Sequence, residues 1–434
     1  MHKNGMQKVI MVFVLTLLTS TVSAQYPKDD IKQNIRCSAS NDMAYPGPKH
    51  RKLTPAPQDK HPFYISHYGR YGSCYLAQKE EYETPYEVLA AADKAGKLTP
   101  KGLDVKQRLD KIRNEAHNQW GELTPLGARQ QQLIAQRMVE RFPEVFEDRT
   151  PVDARSTTMT RCILTMEQFL VQLARMRPNL KIHHNATQRD MYYLNQLDRH
   201  LMDVRMDSAT QAVYDKFSHR HEKYDKLMLT LFNDMVYVKQ HIDASQLNNA
   251  LFRLAGSLHN TELRLRVTLY DLFTDNELYH NWMKENAWWY INYGACTLNG
   301  KSQPFSQRNL LHKLISDADS CLKLKKPGVQ LRFGHDTDLM PLACLMDINH
   351  WGLATDHLEK LGKKGWMTYR IIPTSANLQL IFYRSNPDDE DIWVKVLYNE
   401  DEAILPLPDE HAPYYRWSDF RTYYLDKLDN YEKH

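Results

Sequence analysis

A hydrophobic pattern typical of one helix face lies between Thr124 and Phe142. Apolar residues recur there at the spacing of one helix face, at Leu126, Leu133, Ile134, Met138 and Phe142. Thr124 is suited to cap a helix and Pro125 to occupy its first position. Because Pro143 interrupts the pattern, the segment predicts an α-helix that ends before this residue.

Short extended segments elsewhere predict β-strands, several of which run directly into polar loops. Three of them lie at Phe63 to His67, near Val152 to Arg155, and at Gln330 to Phe333. Near the C-terminus, residues 377–383 and 392–398 are rich in β-branched and aromatic residues, with period-two alternation in the second. The polar stretch 399–402 then leads into residues 403–405, which predicts a hairpin.

The region between about residues 190 and 325 has a different pattern. Its stretches 222–240 and 245–273 are rich in Leu, Met, Lys and Glu, which favour helices, and strand signals are scarce. The chain is therefore predicted to have an α/β fold, with a three-layer α/β core domain formed by residues 25–190 and 326–434. A mostly α-helical cap domain, residues 191–325, is inserted into it. An aromatic cluster in this insert is either helical core or a ligand platform: Trp282, Trp288, Trp289, Tyr290 and Tyr293.

The first 24 residues have the pattern of a secretory signal peptide. Lys3 and Lys8 precede the apolar run Val9 to Leu18, and small residues follow up to Ala24. The run is too short to span a bilayer comfortably. The sequence thus predicts an exported protein, periplasmic or secreted, with no transmembrane segment after removal of residues 1–24.

Composition and charge exclude several classes of protein. The 434 residues are 42% hydrophobic and 25% charged, as in ordinary globular proteins of two or three domains. With 56 Lys and Arg against 53 Asp and Glu, the chain lacks the one-sided charge typical of nucleic-acid binders. The six cysteines show no zinc-type spacing, so disulfides and free thiols both stay open. No metal or organic cofactor is predicted.

Three separated segments, each at the end of a predicted strand, carry groups suited to phosphate chemistry. The first contains Arg70 between two glycines, the second contains Arg155 and Arg161, and the third contains His335 and Asp336. Arginine side chains bind a tetrahedral oxyanion through paired hydrogen bonds, and a carboxylic acid can protonate a leaving oxygen. The combination points to phosphomonoester chemistry.

These segments resemble the histidine acid phosphatase family, especially its exported phytase and inositol-polyphosphate phosphatase branch. That family has an Arg-His-Gly-x-Arg loop after its first strand, a third Arg after a later strand, and a His-Asp pair nearer the C-terminus. Residues 70–74, 154–157 and 334–336 resemble these three motifs, and residues 121–127 resemble the family's helix-opening segment. The motifs occur in family order between about residues 60 and 340.

The resemblance implies the family's fold and reaction, which is phosphate-ester hydrolysis through a phosphohistidine. It implies a phosphomonoester or inorganic phosphate as ligand, with inositol polyphosphates such as phytate as the substrate class. Substrate binding is then expected from Arg70, Arg155, Arg161 and His335, and proton donation from Asp336.

Two substitutions separate this chain from the family motif. Tyr71 occupies the position of the nucleophilic His, and Cys74 replaces the second Arg. A phenol with an ordinary pKa of about 10 provides little nucleophilic phenolate at neutral pH. A shifted alignment would make His67 the nucleophile, but it places Ser66 where the first Arg should be.

Three hypotheses about function follow. The first is an exported protein that binds phosphomonoesters with impaired or absent hydrolysis, a pseudoenzyme. The second is an active phosphomonoesterase that uses His67 or Tyr71. The third is a non-catalytic interaction protein whose phosphatase site is vestigial.

Overall fold

The computed structural model describes residues 26–50, 52–408 and 410–432. The predicted signal peptide lies outside the described residues. One sheet contains eight strands: β1 (His61–Arg70), β2 (Pro151–Ser156), β3 (Lys181–Asn185), β4 (Gly328–Gly334), β5 (Asn377–Arg384), β6 (Trp393–Tyr398), β7 (Asp401–Glu402) and β8 (Tyr414–Arg416). The strands expected at residues 63–67, 152–155, 330–333, 377–383 and 392–398 are thus confirmed, with small shifts of their ends.

The strand order places the ends of three predicted strands side by side. The order is β3-β2-β4-β1-β5-β6-β7, and β8 pairs with β6. Strands β3, β2, β4 and β1 run parallel, whereas β5 is antiparallel to β1 and β6 to β5. Since β2, β4 and β1 are parallel neighbours, their carboxyl ends meet at one edge of the sheet, where ligands bind in open α/β folds.

The predicted C-terminal hairpin is present, with a tighter turn than the sequence indicated. Leu397 of β6 pairs with Glu402 of β7, and only Asn399 and Glu400 form the turn. Both turn residues have positive φ, 51° and 68°, as a type I′ turn requires. The predicted turn 399–402 is therefore shortened, because residues 401 and 402 belong to the strand.

The described α-helices surround this sheet and extend beyond it. They are α1 (Pro27–Gln33), α2 (Glu80–Lys94), α3 (Pro100–Ala116), α4 (Pro125–Arg141), α5 (Thr160–Met176), α6 (Met191–Leu194), α7 (Arg199–Val204), α8 (Ser208–Arg220), α9 (Asp225–Leu231), α10 (Met235–His241), α11 (Ala244–Ser257), α12 (Asp275–Tyr293), α13 (Arg308–Cys321), α14 (Asp336–Leu345), α15 (Thr368–Ile371) and α16 (Trp417–Glu432). The predicted helix α4 is confirmed, with Thr124 accepting a hydrogen bond from the backbone N–H of Gly127.

Two long helices expected between residues 222 and 273 are shorter in the structure. Residues 222–240 contain α9 and most of α10, because Asp234 accepts hydrogen bonds from two backbone N–H groups and caps a new helix. Helix α11 ends at Ser257 and is followed by 3₁₀ turns.

Between residues 191 and 325 the described elements are all helical, and α2 and α3 pack against α11 and α9 of this region. The division into a core and an inserted cap domain stays a prediction.

Apolar side chains cover both faces of the sheet. On one face, side chains of β1, β2 and β4 pack against α4 and α5; they include Ile65, Val152, Val329, Ile134 and Phe169. On the other face, α13, α14 and α16 contribute to a larger core that continues into the helices of residues 191–321. No helix in the described ranges is both long and apolar enough to cross a membrane.

Candidate active site

Backbone hydrogen bonds hold the loop after β1 against the end of β4 and the start of α4. The backbone N–H of Tyr71 donates to the carbonyl oxygen of Gly334, and the Ser73 carbonyl accepts from the N–H of Thr124. A Cβ atom on Gly72 would lie 2.7 Å from the carbonyl oxygen of Gly127, so only glycine fits this contact. The sequence therefore fixes the position of residues 70–74 relative to β4 and α4.

Arg70 is buried and its guanidinium is occupied by protein groups. Its side chain is 1% exposed, and Nη1 donates to the carbonyl oxygens of Asn41 (2.5 Å) and Ile372 (2.6 Å). Nη2 lies 2.8 Å from Oδ2 of Asp336 and 3.3 Å from the hydroxyl of Tyr71. Arg70 therefore stabilises the base of the site and leaves few donors for a ligand.

Tyr71 lies between two arginines and bonds to the predicted acid. The guanidinium carbons of Arg70 and Arg161 lie 4.8 Å and 4.7 Å from its ring centroid. Its hydroxyl donates to Oδ2 of Asp336 at 3.3 Å. Burial, followed by the nearby charge of Asp336, raises the pKa of Tyr71 above its ordinary value despite the two arginines. The side chain is thus a neutral phenol and a poor nucleophile.

Asp336 is held in its ionised form. Oδ2 receives hydrogen bonds from Asn41, Tyr71 and Arg70, and Oδ1 accepts from the backbone N–H of Thr337. Burial opposes ionisation, but the charge of Arg70 outweighs it and keeps the pKa of Asp336 below its ordinary value. At neutral pH this carboxylate carries no proton, and the proton donation by Asp336 that the resemblance implies stays a prediction.

His335 and Asp338 are both uncharged, in contrast to the ionised Asp336. Burial, followed by the charge of Arg161, lowers the pKa of His335 to about 4, so its imidazole is neutral and lies 3.2 Å from the Thr157 hydroxyl. Burial raises the pKa of Asp338 to about 8, although the Tyr68 hydroxyl donates to this carboxyl. Asp338 is therefore a proton-bearing carboxyl two residues beyond Asp336, and no sequence pattern indicates it.

The two arginines of the second segment differ in position. Arg155 forms an ion pair with Asp153 at 2.9 Å and does not line the cavity described below. Along β2, Asp153 and Arg155 share one face, opposite Ala154, because side chains alternate. Arg161, at the start of α5, does line the cavity. The structure thus brings Arg161, and not Arg155, to the other site residues.

Neither His67 nor the thiol of Cys74 is activated as a nucleophile. His67 is 1% exposed, packs between Phe169 and Phe333, and does not line the cavity. Burial lowers its pKa to about 3. Cys74 does line the cavity, but burial raises its pKa to about 12, so the thiol is neutral. The shifted alignment therefore places its nucleophile in the apolar packing between the sheet and α5, outside the cavity.

A cavity of about 290 Å³ opens above Tyr71. The charged side chains that line it are Asp42, Asp336, Glu285, Arg161 and Arg253. One wall is aromatic and contains Phe252, Tyr75, Trp288, Trp289 and Tyr293. The predicted aromatic cluster therefore divides: three of its members line the cavity, whereas Trp282 and Tyr290 are buried in the helical core.

Sequence reasoning missed the charged groups on the helical side of the cavity. Asp42 precedes β1 in a 3₁₀ segment, Arg253 lies on α11 and Glu285 on α12. Each is a single charged residue among many in its element, so no spacing or motif marks it. Only the packing of α11 and α12 near the 3₁₀ segment Ile35–Asp42 brings them together.

Within the described part of the chain, no group of three or more His, Cys, Asp or Glu side chains is arranged to hold a metal ion. All six cysteines are free thiols in the structure.

Comparison with known proteins identifies the family. The model of the histidine phosphatase superfamily, branch 2, matches residues 20–399. The chain belongs to this family. It is 23% identical over 327 residues to multiple inositol polyphosphate phosphatase 1 of Gallus gallus, which covers 71% of this chain and 70% of that protein.

Solved structures share the fold of this family member. The multiple inositol polyphosphate phosphatase of Bifidobacterium longum, in complex with inositol hexasulfate, has a TM-score of 0.73 at 14% identity, covering 89% of this chain and 97% of that one. The phytase of D. castellii has a TM-score of 0.66 at 13% identity, covering 91% and 85%. The predicted family and α/β fold class are therefore confirmed.

Proposed function

We propose that this protein binds phosphomonoesters in the cavity above Tyr71 and hydrolyses them at most very slowly. We also propose that residues 1–24 act as a signal peptide that directs export of the protein. The inositol polyphosphates implied by the resemblance, and named for the relatives above, are one class of ester to be tested. The observation that carries the binding proposal is the state of Arg161.

Arg161 is a cation with unused hydrogen-bond donors. Its guanidinium lies over the Tyr71 ring but forms no hydrogen bond or ion pair with any residue in the described ranges. The other cavity-lining arginine, Arg253, forms an ion pair with Glu81 at 3.0 Å. A partly enclosed guanidinium with free N–H groups is suited to grip phosphate oxygens in pairs.

The expected loss of phosphate-ester hydrolysis rests on the protonation states of three side chains. Tyr71 is a neutral phenol at the position of the family's nucleophile, and Cys74 is a neutral thiol at the position of its second arginine. Asp336 is ionised and has no proton for a leaving oxygen. Loss of a covalent nucleophile in other enzymes costs on the order of a millionfold in turnover.

Isothermal titration of the purified protein with inorganic phosphate, p-nitrophenyl phosphate and phytate tests the binding proposal. We expect Arg161→Gln to weaken binding by roughly 10- to 100-fold, the effect of losing charged hydrogen bonds. Arg155→Gln is the matched control, because Arg155 lies outside the cavity, and it should bind like wild type. Absence of binding to all three ligands, or equal losses in both variants, would contradict the proposal.

A further inference from the structure

Part of the cavity lining combines aromatic rings with carboxylates. The rings of Trp288 and Trp289 meet at 86° with centroids 5.6 Å apart, and Tyr293 lies 4.9 Å from Trp289. Glu285 precedes them on the same helix and is exposed to the cavity. Asp42 lines the same cavity from the segment before β1.

These groups lack partners among the described residues. The carboxylates of Asp42 and Glu285 form no hydrogen bond or ion pair with them. Arg253 is the largest opposite charge acting on both carboxylates, but it is also paired with Glu81. Two carboxylates whose charge is only partly balanced, beside aromatic rings, would be stabilised by a cation.

The charges along the cavity also disfavour a polyanion. Asp336 pairs with Arg70, and the single charge of Arg253 is shared among Glu81, Asp42 and Glu285, which leaves Arg161 as the cation of the described lining without an anion at ion-pair distance. A ligand that carries many phosphates would bring negative charge against the carboxylates of Asp42 and Glu285. One phosphate fits Arg161, whereas the other cation of the described lining, Arg253, already lies near three carboxylates.

We infer that the ligand is a small phosphomonoester that carries an ammonium group. Its phosphate binds Arg161, and its ammonium group lies between the carboxylates of Asp42 and Glu285 and the rings of Trp288 and Trp289. This inference rests on the proposed function for the phosphate half of the ligand. The cationic half is recognised by a different set of residues and can be tested separately.

Titration with matched ligands tests the inference. Phosphocholine and phosphoethanolamine carry both the phosphate and the ammonium group. In sn-glycerol 3-phosphate the phosphate is present but uncharged hydroxyl groups replace the ammonium group, and choline lacks the phosphate. We expect both ammonium esters to bind roughly tenfold or more tightly than sn-glycerol 3-phosphate, and phytate to bind no more tightly than inorganic phosphate. Equal affinity for phosphocholine and sn-glycerol 3-phosphate would overturn the inference and leave the proposed function intact.

Charge-neutralising variants identify the residues responsible. Asp42→Asn and Glu285→Gln should each remove most of the preference for phosphocholine while sn-glycerol 3-phosphate binds as before. Asp429→Asn and Glu87→Gln, at exposed positions outside the cavity, are the matched controls. A preference that survives in the Asp42→Asn/Glu285→Gln double variant would overturn the inference. Binding of choline alone, weakened by Glu285→Gln, would support the cation site even if no phosphomonoester bound, in which case the proposed function alone would fail.

Discussion

Replacing Asp336 with Asn should destabilise the protein more than loss of an ordinary ion pair does. The Asp336 carboxylate lies 2.8 Å from Nη2 of Arg70, and Arg70 is almost fully buried at 1% side-chain exposure. The same oxygen accepts hydrogen bonds from Tyr71 and Asn41. In Asp336→Asn, the guanidinium of Arg70 would keep its charge in a buried site without an anionic partner.

The size of the effect follows from this burial. Removing one partner of a buried ion pair costs about 3–5 kcal/mol of unfolding free energy, because the remaining charge is left uncompensated. The pair between Arg129 and Glu262 has a similar separation, 2.9 Å, but its side chains are 49% and 44% exposed. Water screens such a pair, so Glu262→Gln should change stability far less.

Urea unfolding at pH 7, followed by tryptophan fluorescence, compares the two variants with wild type. The account predicts a large decrease in the midpoint for Asp336→Asn and a small one for Glu262→Gln. If Asp336→Asn costs no more than Glu262→Gln, Arg70 and Asp336 do not form the buried pair described above, and Arg70 is free to bind a ligand.

Three further predictions concern neighbouring groups. Tyr71→Phe removes the hydroxyl between Arg70 and Asp336 and should cost about 1–3 kcal/mol in the same urea assay; an unchanged midpoint would contradict the hydrogen bonds. Cys74, with a pKa of about 12, should react with iodoacetamide at pH 8 much more slowly than glutathione does, as followed by mass spectrometry; an equal rate would contradict the raised pKa. In the folded protein Asp338 has a pKa of about 8 and keeps its proton up to that pH, whereas in the unfolded chain it loses the proton near pH 4. The contribution of this protonated carboxyl to stability is therefore present at low pH and is lost as the pH rises to about 8. The unfolding free energy of Asp338→Asn, measured in urea, should therefore rise relative to that of wild type by up to about 1.4 kcal/mol per pH unit between these values, and a constant difference would contradict this.

Much of the fold could be predicted from the sequence because the signals are local. The Thr124-Pro125 start of α4, the alternation along β6 and the extended segments before the three polar loops each arise within a few residues. Since parallel strands align their carboxyl ends, the meeting of Arg70, His335 and Asp336 also followed from the chain order.

The remaining features depend on packing between distant segments. That Arg155 points away from the site, and Arg161 toward it, depends on which face of β2 is covered and where α5 begins. The pairing of Arg70 with Asp336, and the carboxylates Asp42 and Glu285 in the cavity, depend on contacts across more than two hundred residues. No single-sequence pattern contains that information.

The central claim is that Tyr71 replaces the family's nucleophile with a neutral phenol, so that binding is not followed by hydrolysis. The most direct measurement is the release of inorganic phosphate from p-nitrophenyl phosphate and phosphocholine under single-turnover conditions, with protein in excess. Wild type and Tyr71→Phe should both release phosphate at the rate of buffer alone. Release by wild type that is well above buffer and is lost in Tyr71→Phe would contradict the claim.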